Sequence, residues 1–276
     1  MDIIQGIIIG IVQGLTEFLP VSSSAHLIFV QEFLGVNEPG IAFDVLVHLG
    51  TLVAVVSYFF KDIIEMIKAF FGSLIDLFKG RFKEGFKEDS YKKLAWMVII
   101  GTIPVGIVGI AFQSEIEAIF ESLTIAAVFL LITAVLLYVS QRLNVGSRDI
   151  KDSGIKEAII VGIGQACAII PGLSRSGTTI SSGLLIGLDK EFAAKFSFLL
   201  AVPAILGATV VQLDGIETGL DANLLPYTLG FLAALISGYL AISILLKLIR
   251  EKSLDVFVVY CLIVGASVLT YSLFFM

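Results

Sequence analysis

Two short stretches carry side chains that an apolar chain does not need for packing. The first reads Gln13-Gly14-Leu15-Thr16-Glu17-Phe18-Leu19-Pro20-Val21-Ser22-Ser23-Ser24-Ala25-His26, and the second Pro171-Gly172-Leu173-Ser174-Arg175-Ser176-Gly177-Thr178-Thr179. Ser23 and His26 are three apart, which makes them neighbours on one helical turn, and Glu17 lies just upstream. A serine beside a histidine, with a carboxylate nearby, follows the nucleophile–base–orienter logic of covalent catalysis. Ser23 is then the nucleophile, and neutral His26 accepts its proton and later activates water. The alternative has His26 attack directly while Ser23 only donates a hydrogen bond. In the second stretch the Pro-Gly pair stops one helix, and Ser174 opens another whose first N–H groups are free. Helix N-termini bind anions, and the planar fork of Arg175 matches phosphate oxygens. Joined, the two stretches predict phosphoryl transfer or hydrolysis, with Arg175 stabilising charge on the transferring group. Gln13, Ser22, Ser174, Ser176 and Thr179 are the candidate substrate-binding residues around it.

The elements that must position these groups are built for lipid. Of 276 residues, 57% are hydrophobic and 15% charged, with mean hydropathy +1.00; a soluble domain carries about a quarter charged residues. The expected fold is an all-α integral membrane protein. A charge at bilayer depth is costly, which makes Arg175 and Glu17 functional candidates, and broken backbone survives there only when buried in protein or lining a watery cavity. Met1-Asp2 lacks the positive start of a signal peptide, so the first segment is expected in the mature protein. No basic arm suits nucleic acid.

The chain reads as a duplication. Gly10, Ile11, Gln13, Ser22 and Ser24 fall on Gly162, Ile163, Gln165, Ser174 and Ser176 at an offset of 152, and Pro20 and Pro171 break both copies with a one-residue slip. Paired, interrupted apolar segments point to a midplane site between inverted repeats. Repeat 1 covers 1–141, a linker 142–157 and repeat 2 158–276. Each repeat has a re-entrant hairpin, Ile3 to about Leu34 or Ala158 to Gly187. Three transmembrane spans follow each hairpin: Ile41–Phe60, Leu94–Phe112 and Leu123–Val139, then Phe192–Val211, Tyr227–Leu248 and Val256–Phe275. Residues 61–93 form a charged loop with short amphipathic stretches.

With three spans per repeat, the second copy must lie upside down. Seventeen of the eighteen basic residues fall in four clusters, at 61–93, 142–156, 190–195 and 247–252, and the remaining one is Arg175. Alternating spans place all four on one face, which the positive-inside rule makes cytoplasmic. The opposite loops, near Glu38, Glu115 and Asp214, carry no lysine or arginine, and Glu115, Glu117 and Glu121 read as a solvated turn. His48 stands alone without ligand spacing, with Asp44 four residues earlier to hydrogen-bond it. Cys167 and Cys261 read as buried small hydrophobes.

At the two motifs the chain resembles the undecaprenyl-diphosphatase family, the bacitracin-resistance phosphatases of cell-envelope synthesis. The resemblance implies hydrolysis of a polyprenyl diphosphate to the monophosphate, in a multi-pass plasma-membrane protein whose active site opens to the extracytoplasmic side. It also implies stimulation by magnesium or calcium and a homodimer. The family's first motif is commonly written with two acids four apart; here the first is Gln13, so Glu17 is the only acid of the pair. Glu17 then either orients the histidine or serves as a metal ligand, the diphosphate supplying the other ligands as is usual for magnesium. A polyprenyl-phosphate transporter or flippase is the competing function, since inverted repeats with broken helices are transporter architecture; a pure transporter needs no nucleophile.

Overall fold

The computed structural model describes residues 1–36, 41–120, 122–144, 146–212, 224–251 and 253–275. Asp2 starts the first helix through a reciprocal cap: its carboxylate accepts from the Gln5 N–H, and the Gln5 side chain accepts from the Asp2 N–H, each at 2.8 Å. The helices in chain order are α1 (Ile3–Phe18), α2 (Ser23–Phe33), α3 (Ile41–Tyr58), α4 (Phe60–Phe78), α5 (Phe82–Glu88), α6 (Ser90–Ala111) and α7 (Gln113–Phe120). They continue as α8 (Leu123–Leu143), α9 (Ile155–Cys167), α10 (Arg175–Leu185), α11 (Lys190–Val211), α12 (Leu224–Glu251) and α13 (Asp255–Phe274). Among the described residues there is no strand beyond one isolated bridge, Arg148 to Leu188.

Among the described residues, α6, α8, α11, α12 and α13 are each long and apolar enough to span a membrane, and α3 and α4 are a further apolar pair bent by 80° where they meet. The expected loop at 61–93 is corrected by this bend. Most of it is α4, whose buried Met66, Ala69 and Ser73 recur at helical spacing. Its other faces mix Lys61, Lys68 and Asp76 with exposed Ile67, Phe71 and Phe78, the character of a helix lying along a membrane surface. The acidic turn after α6 is likewise a helix, α7, with Glu115 exposed. Glu38, Glu121 and Asp214, and the side chain of Glu117, lie outside the described residues.

α1 with α2, and α9 with α10, are helix–break–helix hairpins with opposite orientations. Gln5 Nε2 donates to the Leu34 carbonyl at 3.3 Å, so the first hairpin begins and ends at one place. The second closes on the preceding segment, with Arg148 N–H donating to the Gly187 carbonyl at 3.2 Å and Asp189 N–H to the Arg148 carbonyl at 2.8 Å. The ends of the spans show which end is which. Lys195 donates to Asp62 at 2.6 Å, Lys93 donates to the Lys151 carbonyl at 2.6 Å, and Arg250 pairs with Glu191. Gln141 and Arg142 meet Asp255. These contacts gather residues of all four basic clusters, and the mouth of the second hairpin, at one end of the bundle. The mouth of the first hairpin lies at the other, where Gly6 meets Pro226 at the start of α12.

The two halves pack reciprocally. α1 lies against α12, and its glycine ridge explains the closeness: a Cβ on Gly6, Gly10 or Gly14 would strike the Pro226, Gly230 or Ala234 backbone. α9 lies against α6 in the same manner, with Gly162 crossing Gly101 backbone to backbone. Small residues permit this approach, and close packing holds helices together where lipid is as apolar as leucine. Pro104 and Pro203 sit inside α6 and α11, as spanning helices tolerate. Cys261 is buried as expected, but Cys167 is exposed, because α9 turns its Ala158, Val161, Gly162 and Gln165 face inward.

Candidate active site

The two breaks meet tip to tip. Gly172 N–H donates to Ser24 Oγ at 3.2 Å, and Ser176 Oγ donates to the Leu19 carbonyl at 3.0 Å, so each tip is tied to the other. The tips share local construction. Ser22 Oγ caps α2 at Ala25 N–H and lies 3.2 Å from Ser24 Oγ; Ser174 Oγ caps α10 at Gly177 N–H and lies 3.2 Å from Ser176 Oγ. Gly172 takes φ +93°, which glycine adopts without steric cost, and Ser22 takes φ 68° without that exemption. Such a residue stores on the order of 1–3 kcal/mol and persists only where its surroundings hold it.

Glu17 is the centre of the site. Its side chain is 6% exposed, and Arg175 Nη2 donates to Oε1 at 2.6 Å. Ser23 Oγ donates to Oε2 at 2.6 Å, Gln13 Nε2 donates to the same oxygen at 3.0 Å, and His48 Nε2 stands 4.0 Å from it. The buried carboxylate is thus paired with a cation and fully hydrogen-bonded, the condition under which a charge survives away from water. Two buried atoms beside it have no protein partner, Arg175 Nη1 and Gln13 Oε1.

This geometry corrects the expected serine–histidine pair. His26 Nδ1 engages the Ser22 carbonyl at 2.8 Å, and Nε2 meets Tyr260 Oη at 2.8 Å, with the two rings stacked at 5.6 Å. Both nitrogens are therefore engaged away from Ser23, whose proton points at Glu17. Helical spacing made Ser23 and His26 neighbours, but Ser23 is the first residue of α2 and Ser22 has left helical geometry. The cap therefore turns the serine back towards α1. Thr179 is also not brought to the site: its hydroxyl bonds the Arg175 carbonyl at 2.8 Å and Ser197 Oγ at 2.6 Å inside the α10–α11 contact. Ser22, Ser174 and Ser176 are at the tips as expected, with their hydroxyls engaged in capping and tip closure.

Three neighbours have no signal in local spacing. Thr133 of α8 accepts from the Ser174 N–H at 3.0 Å and donates to the Gly172 carbonyl at 3.2 Å, fixing the second tip. Tyr260 of α13 does the same for His26, and His48 reaches the site from α3. Among the described residues no three His, Cys, Asp or Glu side chains cluster. Both oxygens of Glu17 are taken by nitrogen and hydroxyl donors, and a guanidinium occupies the cation position.

Fold and site together define a multi-pass helical membrane protein whose serine, buried carboxylate and arginine converge between two inverted broken hairpins. The family model described as bacitracin resistance protein BacA matches residues 6–267. The chain belongs to that family. It is 63% identical over 266 residues to the undecaprenyl-diphosphatase of Methanobrevibacter smithii, with 96% of each chain covered. It is 49% identical to that of Methanosphaera stadtmanae over 96% of each chain, and 44% identical to that of Alkaliphilus metalliredigens over 99% of this chain and all of the relative.

Proposed function

We propose that the chain hydrolyses undecaprenyl or a similar polyprenyl diphosphate to the monophosphate and phosphate, recycling a lipid carrier of cell-envelope synthesis and giving bacitracin resistance. The observation that carries this is the 2.6 Å contact of Ser23 Oγ with Glu17 Oε2, opposite the 2.6 Å contact of Arg175 with Oε1. Glu17 accepts the serine proton as Oγ attacks the terminal phosphorus. The bond to the bridging oxygen breaks, and polyprenyl phosphate leaves. Arg175, with Nη1 lacking a protein partner, takes a phosphoryl oxygen and stabilises the charge that develops in transfer. Water then attacks the phosphoserine, with Glu17 as base, and restores the hydroxyl. His26 is a positioning residue that holds Ser22 and hence the cap beneath Ser23.

A divalent ion, magnesium or calcium, belongs in this reading to the diphosphate, which neutralises itself with the metal it carries in. In this reading the protein sits in the plasma membrane, the basic end of the bundle is the cytoplasmic one in keeping with the positive-inside rule, and the mouth of the first hairpin and the site open outward. The reciprocal halves, 1–141 and 158–276 about a linker, are a duplicated unit, and a homodimer is the assembly we propose. Phosphate release from undecaprenyl diphosphate by the purified chain tests the activity. No release under any divalent metal, together with substrate-dependent lipid movement in vesicles, would replace this reading by transport.

A further inference from the structure

Hydrolysis at a buried carboxylate leaves a proton to dispose of. In the first half-reaction the trianionic diphosphate and Ser23 hydroxyl give a phosphoserine dianion, a polyprenyl phosphate dianion and one proton, which lands on Glu17. The second half-reaction, phosphoserine plus water to serine plus hydrogen phosphate, consumes none. Glu17 must therefore be rid of that proton before it can act as base for water.

The tips supply no group to take it. Arg175 has no acceptor atom, Gln13 is an amide, and both nitrogens of His26 are engaged. His48 is placed for the task. Its Nδ1 lies 2.7 Å from the Asp44 carbonyl, which can only accept, so Nδ1 carries a proton, and in the neutral ring the lone pair is on Nε2. That lone pair stands 4.0 Å from Oε2 of Glu17, the oxygen that receives the serine proton. Exposure rises along the line, from 6% at Glu17 to 34% at His48. One turn further along α3 stands the Asp44 carboxylate, held by Gln31 Nε2 at 3.0 Å. The charged groups facing His48 are Glu17 from α1, with Arg175 of α10 behind it, and Asp44 on its own helix. The α12 residues crossing α3, Gly230, Ala234 and Gly238, bear no titratable group.

We propose that His48 relays the proton from Glu17 towards the protein surface, acting through Glu17 without touching the substrate. This rests on the phosphatase reading above. The test uses the full chain purified in detergent, with His48→Gln and His48→Ala beside wild type, on undecaprenyl diphosphate. Glutamine keeps the size and polarity but carries no proton. Expected for His48→Gln is a kcat at least about tenfold lower with KM little changed, preceded by a rapid burst of polyprenyl monophosphate as phosphoenzyme accumulates. Added imidazole should restore turnover to His48→Ala and leave His48→Gln unchanged. Wild-type kcat in His48→Gln would overturn the relay. So would a loss in both variants that imidazole does not restore, because that is the behaviour of a packing residue; thermal midpoints of the two variants identify misfolding as its cause. Absence of phosphate release by wild type would instead remove the phosphatase reading, and the relay with it.

Discussion

Replacing Glu17 by glutamine separates what the carboxylate does for stability from what it does for chemistry. The side chain of Arg175 is 16% exposed and its Nη1 already lacks a partner, so Glu17→Gln strands a buried cation. Removing one member of such a pair costs about 3–5 kcal/mol. The glutamine oxygen still accepts one hydrogen bond, which favours the lower figure. At roughly 2–4 °C per kcal/mol, the thermal midpoint should fall by roughly 6–12 °C. Arg175→Gln should cost less, because Ser23 and Gln13 still donate to Glu17. In the double variant two amides face each other without charge, and most of the loss should be regained. Catalysis should not follow. Base and phosphoryl partner are gone, so each single variant and the double should lose at least about 10²-fold in kcat/KM. The assays are thermal unfolding in detergent and phosphate release on the same preparations. A double-variant midpoint equal to the summed losses of the singles would show the two residues uncoupled and refute the reasoning.

Ser23→Ala should lower turnover by about 10³-fold or more while lipid binding persists, and a phosphoserine should be recoverable from quenched wild type; phosphohistidine in its place would assign attack to His26. Gln13→Glu exchanges a donor for a second carboxylate 3.0 Å from Glu17 Oε2. Two carboxylates so close need a proton or cation between them, so phosphate release should become more dependent on added magnesium or calcium than in wild type. Gly10→Ala should destabilise by about 1–3 kcal/mol through overpacking against Gly230. Gly106→Ala, with nothing within 4 Å of the new Cβ, should leave the thermal midpoint unchanged or raise it.

The architecture was legible because each of its signals is local. Proline and serine at Pro20–Ser22 and Pro171–Ser174 write helix breaks and caps directly, and the glycine spacing in α1 writes a close helix crossing. The participants Glu17, Ser23 and Arg175 were legible for the same reason, as charged or hydroxyl groups in apolar surroundings. Their partnerships were not. Helical periodicity pairs residues three or four apart, whereas Ser23 meets Glu17 across a turn whose positive φ at Ser22 no spacing rule anticipates. His48 enters from a separate helix, and Tyr260 comes from 234 positions away. Helix α4 was missed for a different reason: its charges read as loop, although their spacing leaves one face free to pack.

The exchanged pairing of α1 with α12 also dictates how the chain can be made. About 220 residues separate Gly10 from Gly230, and at about 5–20 residues per second of synthesis the first hairpin waits roughly 10–40 s for its partner. During that interval its glycine ridge faces no helix, and Glu17 has no arginine until residue 175 has emerged. A short helix carrying an unneutralised carboxylate does not rest stably among acyl chains. The nascent hairpin therefore has to be parked at the bilayer surface or sheltered by the insertion apparatus. Chains released before α12 is complete keep that unmatched ridge, which no other helix of the fold is shaped to cover.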